Sequence, residues 1–222
     1  MRFLRCVHAE WLLVRPRLVR TRFGALLVLL GAALVWLHSR GLDPLAVALN
    51  AGALGAVVGA AFAAGDDADR AALATALTHP TGPLAIATGR WLAAVIPAAG
   101  LTIACAIITG WHIGAAAAGA VAAAAVGGCA LIAVLVAGNG AAVALFLCMA
   151  VAGAMAPEQL VGLADPGVAR LAAASALELG PALWHYRDVA TGDAGAVLHA
   201  VAWAGLGVII ASGLVARQRR LS

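Results

Sequence analysis

The run Ile113–Ala156, IGAAAAGAVAAAAVGGCALIAVLVAGNGAAVALFLCMAVAGAMA, holds 44 residues and no charge. About 20 apolar residues carry a helix across roughly 30 Å of hydrocarbon, so this run is too long for one crossing and too apolar for water. Gly138-Asn139-Gly140 in its middle supplies flexible, polar turn chemistry, which predicts two spans, 113–137 and 141–156. The rest of the chain has the same character: of 222 residues 64% are hydrophobic and 11% charged, and the mean hydropathy is +1.01. That balance excludes an ordinary soluble domain.

Outward from this run, four further apolar segments predict spans at 24–38, 44–64, 91–110 and 196–216. The expected fold is an all-α integral membrane protein of six transmembrane helices in one domain, residues 1–222. Residues 65–90 form a loop between the second and third spans, and residues 157–195 a second long loop. Gly55 and Gly59, spaced as Gly-x-x-x-Gly, predict close helix packing. Asn50 and Asn139 are read as helix–helix contacts on the same principle.

All 14 basic residues are arginine. Six fall in the first 22 residues, Arg70 and Arg90 flank the second-to-third connection, and Arg217, Arg219 and Arg220 close the chain. With six crossings, eleven arginines lie on one side and only Arg40, Arg170 and Arg187 on the other. The positive-inside rule makes the arginine-rich side cytoplasmic, with both termini there, in a multi-pass plasma-membrane protein. The long basic stretch before the first apolar run, with no small-x-small site followed by a polar region, argues against a signal peptide. Cys105, Cys129 and Cys148 sit within apolar spans and Cys6 on the basic side, so they are expected to pack rather than to form disulfides or ligate metal.

Residues 1–22 carry Phe3, Val7, Trp11, Val14 and Leu18 at helical spacing, with arginines on other faces. This predicts an interfacial helix whose apolar face meets acyl chains while Arg5 and Arg15 meet anionic headgroups and Trp11 anchors it; membrane lipid is thus an expected partner. Pro16 is expected to kink or break that helix.

Between the second and third spans stands DDADRAALATALTHPTGPLAIATGRW, Asp66–Trp91. Three aspartates lie where a helix N-terminus favours negative charge, Leu73 and Leu77 share one face, and Pro80 with Gly82-Pro83 ends the segment. A short amphipathic helix with an uncovered leucine face is a docking element. From Asp67 through Arg70, Leu73, Leu77, His79 and Pro80 to Gly89-Arg90, this stretch resembles the loop of exporter-type ABC transporter permeases: acidic-Arg-x-x-Gly-Thr-Leu-x-x-Leu-x-x-x-Pro, then Gly with a basic residue at the next span. Ala71-Ala72 replace that family's Gly-Thr, and its basic residue after the proline is missing. The order of interfacial helix, two spans, loop helix and four spans resembles the same family over the whole chain.

The resemblance implies a cytoplasmic coupling helix that docks on a separate ABC ATPase, with Asp67, Arg70, Leu73, Leu77, His79 and Pro80 as the docking residues. It implies a second permease copy or a paralogue enclosing the substrate path, and no catalytic residue in this chain. A Walker A loop needs a lysine, and the chain has none, so ATP and magnesium are expected only in the partner. Nucleic acid is not an expected partner. The resemblance further implies that 157–195 carries short helices dipping into the membrane at the outer mouth. Leu171, Leu177, Leu183 and Trp184 suit that position, although an extracellular connector with aromatic anchors fits them equally.

His38, His112, His185 and His199 fall on the outer side, but no two stand at i, i+3 or i+4, so no metal site is expected. An intramembrane enzyme is the less favoured class: the spans hold no acid, no HExxH occurs, and Ser212 and His199 are some 20 Å apart along one helix. A non-transporting membrane adaptor or assembly protein is the alternative function, since it needs no chemistry.

Overall fold

The computed structural model describes residues 2–20, 22–64, 81–110, 112–154, 180–181 and 183–221. Among the described residues every regular element is helical. These are α1 (Arg2–Arg20), α2 (Phe23–Ser39), α3 (Pro44–Ala64), α4 (Pro83–Ile108), α5 (Ile113–Ala154), a 3-10 helix (His185–Thr191) and α6 (Ala194–Leu221). Helices α3, α4, α5 and α6 are long and apolar enough to cross a membrane; α2 is apolar but shorter. The fold is all-α and of membrane type.

Helix α3 is the centre of the bundle. From Ala46 to Val57 every residue is buried, an all-round burial that an amphipathic stripe could not give. The neighbours come close because the contacts are made of hydrogen and methyl. A Cβ added at Gly52 would collide with the Gly119 carbonyl of α5, and one added at Gly119 with the Ala48 carbonyl of α3. On its other side, Gly55 and Gly59 lie against Ala98 and Ala94 of α4, where added Cβ atoms would stand 3.2 and 2.7 Å from the neighbouring Cα atoms. Without a hydrophobic force between helices in lipid, association rests on such contact. Helix α6 joins through the same device: Gly207 crosses Gly128 of α5 with no room for a side chain on either.

Three features depart from the sequence expectations. The helix after the loop starts at Pro83, so Pro83–Arg90 are its first turns rather than connecting loop. Proline at the first helical positions has its φ already set and no N–H to satisfy. Helix α1 continues through Pro16, since Val14 and Leu18 on both sides of it pack into one cluster with Phe23, Ala63 and Ala93. Of the expected apolar stripe of α1, Val7, Val14 and Leu18 are buried within the protein and Trp11 is half-buried, while Phe3 remains exposed together with Leu4, Leu12 and Leu13. In the long run that opened the sequence, Gly138 takes φ 69° and ψ −162°, a non-helical corner between two helical stretches that only glycine adopts without strain. The four cysteines are free thiols.

The close α3–α5 contact yields the first prediction. Gly52→Ala drives the two helices apart and costs about 1–3 kcal/mol or more, seen as a lower melting temperature and loss of monodisperse protein in detergent. Gly100→Ala on α4, where a Cβ meets nothing within 4 Å, keeps or raises stability by up to about 1 kcal/mol. Equal behaviour of the two variants contradicts the packing argument.

Candidate functional site

The docking residues Asp67, Arg70, Leu73, Leu77, His79 and Pro80 lie outside the described residues. Their two flanks are described: the chain leaves the bundle at buried Ala64 and re-enters at Pro83. Of the interfacial residues, Arg5 and Arg15 are exposed on α1, while Trp11 is half-buried against the Val14–Phe23–Ala93 cluster.

Beneath this region lies a polar contact that the sequence reading missed. Val7, Glu10, Val14 and Leu18 form the buried face of α1, so a carboxylate stands in the middle of the apolar stripe. Arg90 Nε donates to Glu10 Oε1 at 3.4 Å, with both side chains almost fully covered. Gly89 allows the approach, because a Cβ there would stand 2.8 Å from Glu10 Cβ and Cγ. Two charges withdrawn from water are costly, and the cost is offset only while they remain paired. The pair therefore clamps α1 onto the second turn of α4, a few residues after the chain returns from the loop. The basic residue of the Gly89-Arg90 motif is buried. A signal was available, since an acid three residues from Val7 and four from Val14 breaks an otherwise apolar face.

The opposite end of the bundle carries a second polar cluster. Leu183 and Tyr186 are buried, Tyr186 completely, which draws the 3-10 helix against α5 and α6. The Tyr186 hydroxyl stands 3.3 Å from His199 Nδ1, and Trp203 Nε1 donates to His199 Nε2 at 3.2 Å. An indole N–H can only donate, so Nε2 accepts; a neutral imidazole then carries its proton on Nδ1, facing the Tyr186 oxygen. Burial raises the Tyr186 phenol well above its ordinary range, with Cys129 a smaller second cause, so the hydroxyl stays protonated. The His185 ring meets that of His199 edge-on at 5.5 Å. Gly192, with φ 90°, turns the chain out of the 3-10 helix, and Asp193 Oδ1 accepts from Gly195 N to start α6.

The remaining histidines do quieter work. His38 Nδ1 lies 2.7 Å from Leu42 O across the turn from α2 to α3, and His112 is exposed. Among the described residues no three His, Cys, Asp or Glu side chains gather as a metal would require. Asn50 donates to Ala46 O of its own helix at 2.8 Å, and Asn139 is exposed beside the Gly138 corner.

With this geometry in hand, the chain matches no family model, no curated protein and no solved structure.

The buried pair yields the second prediction. Arg90→Leu strands the Glu10 carboxylate and costs about 3–5 kcal/mol, whereas Arg90→Leu with Glu10→Met removes both charges and recovers most of the loss. Thermal unfolding in detergent reads both. A double variant no more stable than the single one contradicts the pairing.

Proposed function

We propose that this chain is the membrane-spanning permease subunit of an ABC exporter, driven by a separate cytosolic ATPase. Six crossings are reached by counting α2 as a short span and α5 as two, divided at Gly138. Both termini and the loop 65–80 then lie on the arginine-rich, cytoplasmic side. The loop is the coupling helix, with Leu73 and Leu77 filling a groove of the ATPase. A second permease copy or paralogue completes the substrate path.

The observation that carries this reading is the clamp between α1 and α4. A load applied to the loop reaches α4 within its first turns, and there Glu10–Arg90 ties α4 to α1. A helix held this way transmits displacement into the bundle instead of bending at the membrane surface. The chain itself supplies no phosphate-binding loop, so hydrolysis belongs to the partner. At the far end, Tyr186, His199 and Trp203 hold the 3-10 helix as the closure of the outer mouth.

The test separates the leucine face from its surroundings. Coexpressed with the ATPase, the chain copurifies with it; alone, it neither binds nor hydrolyses ATP. Leu77→Asp places a charge in a contact where each buried leucine contributes only about 1.5–3 kcal/mol, so association and export are lost at normal membrane abundance. Thr75→Asp, on the side of a helix opposite Leu73 and Leu77, is mild. Robust hydrolysis by the isolated chain contradicts the proposal, and so does full association of Leu77→Asp.

A further inference from the structure

Between α4, α5 and the middle of α6 lies a groove of about 400 Å³. Buried Ala200 and Ala204 form its floor, and Trp91 of α4, Ala124 of α5 and Val208 of α6 form its walls. It exists because α6 presents alanine and glycine where larger side chains would fill the space. A Cβ built at Gly205, on the lining, meets nothing within 4 Å.

The chemistry of the lining selects the guest. Two polar side chains reach it, and both donors are already used within the protein. Trp91 Nε1 donates to Ala124 O at 3.0 Å, and Thr88 Oγ1 to Leu84 O at 2.8 Å. A guest rich in acceptors would give up its water here without replacement, a cost of several kcal/mol that a hydrocarbon does not bear. The groove opens on the flank of the bundle, where Val201 and Ile209 at its rim are 61% and 63% exposed. These rim residues belong to a helix apolar enough to cross a membrane, so the opening faces hydrocarbon.

We propose that this groove seats one hydrocarbon chain of a membrane lipid, which enters sideways from the bilayer. The lining from Val197 to Ile209 runs about 18 Å along α6, the length of an extended chain of roughly fourteen carbons. The volume falls within the range of small-molecule sites. The inference rests on α4, α5 and α6 standing in a bilayer. It does not depend on the ATPase partnership.

The experiment uses the full chain alone, reconstituted in vesicles of phosphatidylethanolamine and phosphatidylglycerol that contain a phosphatidylcholine with a photoactivatable diazirine in its acyl chain. After illumination, labelled peptides are mapped by mass spectrometry. Label concentrates on the segments carrying Trp91 and Val201–Val208. Gly205→Leu puts a side chain into the groove from a Cβ that meets nothing within 4 Å, and lowers that label severalfold. Gly213→Leu is the control: a Cβ there also meets open space, on the same helix but outside the groove, and its labelling is unchanged. Both substitutions replace glycine within a helix and so favour the fold. Label spread evenly over the exposed apolar side chains overturns the proposal. So does equal labelling of Gly205→Leu and the native chain, or a groove that stays unlabelled because a second copy of the chain covers it.

Discussion

The approach of α3 to α5 at Gly52 and Gly119 is the contact on which the rest of the bundle depends. With so few charges, the chain holds its helices together largely through van der Waals contact between backbones. That contact is available only where side chains are absent or are a single methyl. Helix α3 carries alanine or glycine at more than half of its positions, spread along its length, so it can be surrounded: α5 on one side, α4 across Gly55 and Gly59 on another. Helix α6 then reaches the assembly through Gly128 and Gly207. Many large aliphatic residues stand on outward faces, Val28, Leu29, Val201 and Ile209 among them, while others such as Ile86 and Leu131 fill the interior.

Against this apolar ground, the two buried polar clusters stand at opposite ends and fasten the elements that are not spans. At one end Glu10–Arg90 holds α1 to α4; at the other Tyr186, His199 and Trp203 hold the 3-10 helix to α6. In each case the polar groups face one another across elements that apolar contact alone would leave free to slide. Low dielectric makes such groups costly when unpaired, so each cluster favours one register of packing. In the proposed transporter, the two clusters would keep the elements at each mouth attached to particular helices.

The class of fold was readable because hydrocarbon thickness acts on local composition: an uncharged run such as Ile113–Ala156 declares itself without reference to any other residue. The corner at Gly138 was readable for the same reason, since Gly-Asn-Gly is a local signal. What stayed hidden depends on partners distant in sequence. Arg90 reads as a flanking basic residue until Glu10, eighty positions away, is brought beside it. Trp203 and His199 are four apart and could have been paired on one helix, but Tyr186 comes from another element. Gly55 and Gly59 announced close packing, yet nothing local marks Gly52 as the tighter contact, because its partner Gly119 lies on α5. The leucine face at Leu73 and Leu77, on which the proposed partnership turns, is known from its sequence pattern.

Sidedness is the claim from which the functional account follows, because a loop on the wrong side of the membrane cannot meet a cytosolic motor. It is measured directly with single cysteines in a chain from which Cys6, Cys105, Cys129 and Cys148 have been removed, treated in intact cells with a membrane-impermeant thiol reagent. The account predicts that cysteine at Ala74 or Gln218 stays unlabelled until the membrane is opened, while cysteine at Asp165 reacts at once. Labelling of the Ala74 position from outside, in cells that keep the Asp165 position protected, would contradict it.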